Sequence, residues 1–218
     1  MTQSRKRVAI LLSGRGSNMR SLVAAMQDDG FPAAPALILS NVAAAAGLDF
    51  ARDNAIATAV VDHKAYPNRE AFERAMHETL VAANIDLVCL AGFMRLLTPW
   101  FVEQWRGKML NIHPALLPSY RGLHTHERAL ADGVKIHGAT VHFVVPEMDA
   151  GPIIAQAAVP VLDSDTPDTL GARVLEQEHR IYPLALRLVA GGAARLVGDK
   201  VRVSPETPAA AALLWPAC

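Results

Sequence analysis

The chain has 218 residues, 51% of them hydrophobic, and its 21 Lys plus Arg balance 21 Asp plus Glu, so the formal net charge is zero. That length suits one α/β domain with a full core, and the neutral balance excludes a whole-molecule field that would draw the protein to nucleic acid or an anionic membrane. The two cysteines, Cys89 in an apolar run and Cys218 at the terminus, argue against a disulfide framework and fit a reducing cytoplasm.

Strand-like and helix-like runs alternate from the start. Val8 to Leu12 is a first strand, too short for a signal-peptide core, and a helix follows from about Asn18 to Gln27. Ala36 to Leu39 leads into an Ala-rich helix ending near Asn54; Pro32, Pro35, Ser40 and Asn41 break this region too often for a membrane span. Thr58 to Val61 precedes a helix over Arg69 to Ala83, and Asp86 to Ala91 has the apolar pattern of a buried strand. Four βα units in a row predict a parallel sheet with helices on both faces and right-handed crossovers. Beyond Gly92 the pattern loosens. Pro99 to Trp105 reads as a short helix, Lys108 to His113 as a strand and His126 to Ala131 as another short helix. Thr140 to Val145 and Ile153 to Val161 read as two strands extending the sheet as an antiparallel or mixed edge. Thr166-Pro167-Asp168 opens a last long helix that reaches about Ala190, before Gly191-Gly192. The expected fold class is therefore α/β, a Rossmann-like, mostly parallel sheet with a mixed C-terminal extension. It is expected as one domain over residues 1–203, with halves of about 1–100 and 101–203, followed by a loosely held tail at 204–218 that carries three Pro and an Ala run.

The stretch Met109 to Pro118 concentrates the chemistry. As a strand of period two it puts Leu110 and Ile112 on one face and Asn111 and His113 together on the other, and Pro114 ends the ladder in a rigid turn. An amide donor beside an imidazole is what acyl chemistry needs, although Asn and His also serve simply as satisfied groups at a strand end. Ser13-Gly14-Arg15-Gly16-Ser17-Asn18 lies between the first strand and first helix, where backbone N–H groups and glycines suit a phosphate; a capped tight turn is the alternative, and neither a dinucleotide fingerprint nor a P-loop is present. Gly92 to Leu97 follows the fourth strand, where Phe93, Met94, Leu96 and Leu97 line either a pocket for a flat heterocycle or a buried connection. Asp149 sits in a loop with Ala150-Gly151-Pro152, as a turn former or as a partner for an imidazole. His124, His126, His137 and His142 lack acidic or cysteine partners at a metal spacing, so packing and hydrogen bonding are expected and no metal is proposed.

Five of these segments, in order, resemble the folate-dependent formyltransferases: Ser13 to Asn18, Leu90 to Leu97, Asn111 to Pro118, His137 to Val144 and Met148 to Pro152. The likeness spans roughly Val8 to Leu188 and is strongest to the branch that formylates the amine of phosphoribosylglycinamide (glycinamide ribonucleotide) in purine biosynthesis. It implies 10-formyltetrahydrofolate as co-substrate, glycinamide ribonucleotide as the other small-molecule substrate, no metal, no nucleic-acid or membrane partner, and a cytoplasmic monomer or homodimer. By the same resemblance Asn111, His113 and Asp149 are catalytic, Gly16, Ser17 and Asn18 hold the substrate phosphate, and Glu178 meets the substrate. Arg69, Met94, Arg95, Leu96, Leu97 and Asn111 take the folate. The mechanism implied is direct transfer: the amine attacks the formyl carbon, Asn111 and protonated His113 stabilise the oxyanion, and Asp149 positions a water that shuttles the proton. Two positions depart from that branch. Arg121 stands where Pro is expected, as in the methionyl-tRNA formyltransferases, and Leu175 stands where Gln is expected. Formyltetrahydrofolate hydrolase and methionyl-tRNA formyltransferase are the alternatives within the family; both would be expected to carry an extra domain for which 218 residues leave no room. A non-catalytic nucleotide-binding module on the same fold is the alternative outside it.

Overall fold

The structure, a computed structural model, describes residues 4–204; the tail expected from 204 onward lies, after Ser204, outside the described residues. Seven strands form one sheet in the order β3-β2-β1-β4-β5-β6-β7. These are β1 Lys6–Leu12, β2 Ala33–Ser40, β3 Thr58–Val60, β4 Leu87–Leu90, β5 Met109–His113, β6 Ile136–Phe143 and β7 Ile153–Pro160. The first five run parallel, whereas β6 is antiparallel to both β5 and β7. The helices are α1 Ser17–Met26, α2 Ala46–Asp53, α3 Arg69–Ala82, α4 Pro99–Gln104, α5 Thr125–Ala131 and α6 Pro167–Ala190.

The two-residue period of β1 divides the core. Val8, Ile10 and Leu12 pack with Met19 and Leu22 of α1 and Leu170, Val174 and Tyr182 of α6. Ala9 and Leu11 face the other way, into a second cluster with Phe72, Met76 and Leu80 of α3 and Phe101 of α4. Both faces of the sheet are thus covered, as the run of apolar βα units requires. Tyr182 joins the layers: its buried hydroxyl reaches the carbonyls of Leu90 and Leu110 at 2.9 and 3.1 Å, at β4 and β5.

Most boundaries lie within a residue or two of those read from the sequence, and α6 begins as expected, with Thr166 as N-cap and Pro167 in the first turn. Three differences have physical causes. Strand β2 starts before Ala36 because Pro35 sits at a register shift against β1, where no ladder N–H is needed. Strand β6 covers Ile136–Phe143 rather than Thr140 to Val145, since Gly138 fits a close crossing in which a Cβ would lie 1.9 Å from the carbonyl oxygen of Ala157. A small antiparallel hairpin, β8 Ala194–Val197 with β9 Lys200–Val203, follows α6 and was not expected from its short, charged strands.

Candidate active site

Strand order reverses at β1 and β4, and their carboxyl ends carry the two loops expected to bind ligand. In the first, Gly16 is the N-cap of α1 with φ +73°, and Ser17 and Asn18 are the first two helical residues. Their free N–H groups and the helix dipole make this end attractive to an anion. The glycine also serves packing. A Cβ on Gly16 would lie 2.9 Å from Cε of Met19 and 3.3 Å from Cδ2 of Leu12, both in the core. Asn18 is buried, and its amide donates to Oε2 of Glu178 on α6 at 2.6 Å, leaving Asn18 Oδ1 without a partner among the described residues. Burial pushes the Glu178 carboxyl above the ordinary range for Glu, and the Asn18 hydrogen bond only partly offsets this. The two residues, 160 positions apart, therefore form one polar contact beside the Gly16–Asn18 loop.

In the second loop, Gly92 turns with φ +76° and Phe93 is buried, while Met94 and Leu96 are 71% and 60% exposed. Arg95 is exposed and Leu97 is half-buried against the core. Apolar side chains of this size left open at a strand end are what a flat ligand would cover. The far end of the loop is pinned by Glu73 of α3, whose buried carboxylate accepts from the Thr98 N–H at 2.8 Å and from its hydroxyl. Arg69 opens α3 with an exposed side chain, and no hydrogen bond ties it to Met94–Leu97 among the described residues.

Strand β5 brings Asn111 and His113 to one face, as its alternation requires, and the turn beyond it is held by Thr140, which accepts from the Leu117 N–H and donates to the Ala115 carbonyl. Asp149, at φ +51°, approaches from the β6–β7 loop, and its Oδ2 lies 3.4 Å from His113 Nδ1. That oxygen also accepts from the Gly122 N–H at 2.9 Å. His113 Nε2 faces the Tyr120 carbonyl at 2.9 Å, so both ring nitrogens of this buried imidazole meet protein acceptors. Of the three residues expected to be catalytic, His113 and Asp149 are thus brought together, and Asn111 shares the His113 face of β5. Neither ring nitrogen of His113 is directed at open space.

His142 was expected to serve packing or hydrogen bonding, and its hydrogen bond falls on Asn111, a partner the sequence reading did not name. It stands opposite Asn111 in the β5–β6 ladder, and Asn111 Nδ2 lies 3.3 Å from its Nε2. Its Nδ1 lies 2.9 Å from the Phe143 carbonyl, which can only accept, so Nδ1 carries the proton and Nε2 accepts from Asn111. Burial pulls the His142 pKa down, more than the nearby Phe143 carbonyl and Asp149 raise it, and favours this neutral form. The result fixes the Asn111 amide and leaves its second N–H to donate elsewhere. Gly151 makes room for the arrangement, because a Cβ there would meet the Phe143 carbonyl at 1.7 Å. The signal was present in the sequence as a cross-strand pair, but only a correct β6 register reveals it.

The remaining histidines go to packing and surface pairs. His126 and His137 stack edge to face at 5.4 Å, and Tyr120 covers His137 at 5.6 Å. Burial lowers the His137 pKa to about 4. His124 pairs with Glu127 at the surface, and Arg121 with Glu147 at 2.7 Å, bridging the loops that carry Tyr120 and Asp149.

This geometry has close counterparts. The formyl transferase family profile matches residues 6–186, most of the chain. The chain belongs to the formyl transferase family. Phosphoribosylglycinamide formyltransferase of Escherichia coli strain K12 is 45% identical over 185 residues, covering 85% of this chain and 87% of that protein. The trifunctional purine biosynthetic protein adenosine-3 of Bos taurus is 51% identical over 197 residues; they make up 90% of this chain but 19% of that protein, so the chain spans about a fifth of such relatives. Glycinamide ribonucleotide transformylase 1 from Symbiobacterium toebii superimposes with a TM-score of 0.88 at 44% identity, covering 91% of this chain and 94% of that one. The Rossmann-like sheet with its mixed extension is thus the architecture of this formyl transferase, and no helix among the described residues is long and apolar enough to cross a membrane.

Proposed function

We propose that this formyl transferase moves the formyl group of 10-formyltetrahydrofolate to the amine of glycinamide ribonucleotide, giving formylglycinamide ribonucleotide and tetrahydrofolate. The observation that carries the reading is the Asn111–His113–Asp149 cluster, with Asp149 Oδ2 3.4 Å from His113 and the Asn111 amide fixed by His142. The similarity to proteins named for this reaction supports the choice of substrates.

In the proposed reaction the neutral amine attacks the formyl carbon, and the carbonyl becomes an oxyanion that takes the free N–H of Asn111. His113 supplies positive charge from alongside, its N–H groups held by Tyr120 and Asp149. The C–N bond to folate N10 then breaks; the proton lost by the amine passes through a water at Asp149 to N10, so no covalent enzyme intermediate forms. Cys89 takes no part, because burial pushes its thiol up to about 12 and it lies inside β4. The N–H groups of Gly16, Ser17 and Asn18 receive the ribose phosphate, Glu178 meets the substrate, and Met94, Arg95, Leu96 and Leu97 with Arg69 and Asn111 hold the folate. Residues 1–203 are read as one domain, with phosphate binding in 1–100 and catalysis in 101–203, acting as a monomer or homodimer in the cytoplasm without a metal.

The test is to mix the protein with both substrates and follow tetrahydrofolate release together with the mass of the formylated amine. Release that requires glycinamide ribonucleotide is expected. Release that proceeds equally without the amine would make the protein a hydrolase, and formylation of charged tRNA in place of the small amine would make it the tRNA enzyme.

A further inference from the structure

Ser13, the residue after β1, touches both ligand loops of the switch point. Its N–H donates to the Gly92 carbonyl at 3.0 Å, and its hydroxyl oxygen accepts from the Met94 N–H at 2.9 Å. The hydroxyl proton goes to Asn41 Oδ1 at 2.6 Å, since that oxygen can only accept. This orients the buried Asn41 amide, whose Nδ2 then faces His63 Nδ1 at 3.3 Å. The next residue is tied as well, with the Gly47 N–H of α2 donating to the Gly14 carbonyl at 3.1 Å. The start of the phosphate loop is therefore fastened to the ends of β2 and β4 and to α2, and the one side chain in all of this that reaches the folate segment is Ser13.

We propose that Ser13 is a positioning residue that couples the two ligand sites, so that occupancy of the phosphate loop by the amine substrate tightens the hold of residues 92–97 on the folate. The inference rests on the assignment of these two loops under the proposed function and goes beyond it, because Ser13 meets neither ligand's reacting atoms. The Ser13 hydroxyl, held by Asn41 Oδ1, ties Met94 N–H to the residue that opens the Gly16–Asn18 loop, so a shift of that residue is passed to residues 92–97, and two sites joined in this way share a coupling free energy. By reciprocity the folate must tighten the amine substrate by the same factor.

The experiment is calorimetric titration of the full chain with tetrahydrofolate, with and without saturating glycinamide ribonucleotide. The wild-type protein is expected to bind tetrahydrofolate about fivefold or more tightly in the presence of the amine substrate. Ser13→Ala, which leaves Met94 N–H to water, is expected to bring that ratio close to one while each ligand still binds alone, and Ser13→Thr is expected to restore it. Ser13→Cys, a weaker acceptor of similar shape, serves if the alanine variant does not fold and is expected to give an intermediate ratio. A wild-type ratio of one, or an alanine or cysteine variant that keeps the full wild-type ratio, overturns the inference and leaves the proposed function standing. Wild-type protein that binds neither ligand overturns both.

Discussion

The two sides of the sheet use different parts of the chain. From β3 to β4 every strand is parallel, and the loops at the strand ends present the first N–H groups of α1 and the exposed side chains of Met94 and Leu96. From β5 to β7 the ladder is antiparallel, and side chains occupy the corresponding space, with Asn111, His113, His142 and Asp149 in one connected set. Of the five non-glycine residues that the described backbone holds at positive φ, Ala55 and Asn84 follow α2 and α3 in the parallel half, whereas Tyr120, His124 and Asp149 lie in the two loops beside His113. Under the proposed function the parallel half binds by shape and backbone, and the antiparallel half does the chemistry with particular side chains held in loops that cost backbone strain. Substitutions should therefore split into binding effects on one side and turnover effects on the other.

The largest effect is expected from Asp149→Asn. The amide oxygen can still accept from Gly122, so the loop is retained, while His113 loses its counter-charge. A fall in kcat of about 10²–10⁴-fold with little change in either KM is expected from steady-state kinetics. Near-normal turnover would remove the antiparallel half from the chemistry.

Leu96→Asp probes the other side. Leu96 is 60% exposed, unlike Leu97, which packs against the core and whose replacement by a charge would disturb the fold. Tetrahydrofolate affinity measured by titration should weaken by about 1–3 kcal/mol, because a carboxylate must be desolvated against the ligand, while the melting temperature stays near that of the parent. Unchanged affinity would place the folate elsewhere.

The smallest effect concerns Glu178, on the helix that spans both halves. Its pKa is raised in the fold, chiefly by burial, so the protonated carboxyl is favoured there; the associated stability is present below the unfolded value and lost as pH rises through the folded one. Glu178→Gln keeps an acceptor for Asn18 and removes that loss. Its Tm should match the parent near pH 4 and exceed it by a few degrees at pH 7, with weaker glycinamide ribonucleotide binding. A Tm difference independent of pH would show that the carboxyl is not titrating in this range.

The same division explains what could be read from the sequence. The parallel half announces itself: Val8 to Leu12 and Leu87–Leu90 are apolar throughout because they are covered on both faces, and Thr166-Pro167 marks a helix start by local chemistry alone. Asn111 and His113 were legible because a period of two needs no partner. His142 was not, since its importance comes from the residue across the ladder, and Gly138 with two histidines gives β6 little of a strand's composition. The meaning of Gly16 was also hidden, because only packing shows which side of the backbone its missing Cβ would occupy.

That glycine bears on how such chains diverge. Gly16 and Gly47 both close on Leu12 and Met19, and a Cβ on Gly47 would sit 2.6 Å from Leu12 Cδ2. A descendant with no phosphorylated substrate would still need both glycines in order to fold, so their persistence in a lineage records the architecture and is no witness to activity. Asn18, with its buried Oδ1 unpaired among the described residues, and Asp149, at positive φ, carry costs beside the hydrogen bonds they make to Glu178 and Gly122, and are the positions more open to drift once the chemistry is abandoned. A silent relative would be recognised by an intact glycine loop beside an altered carboxylate.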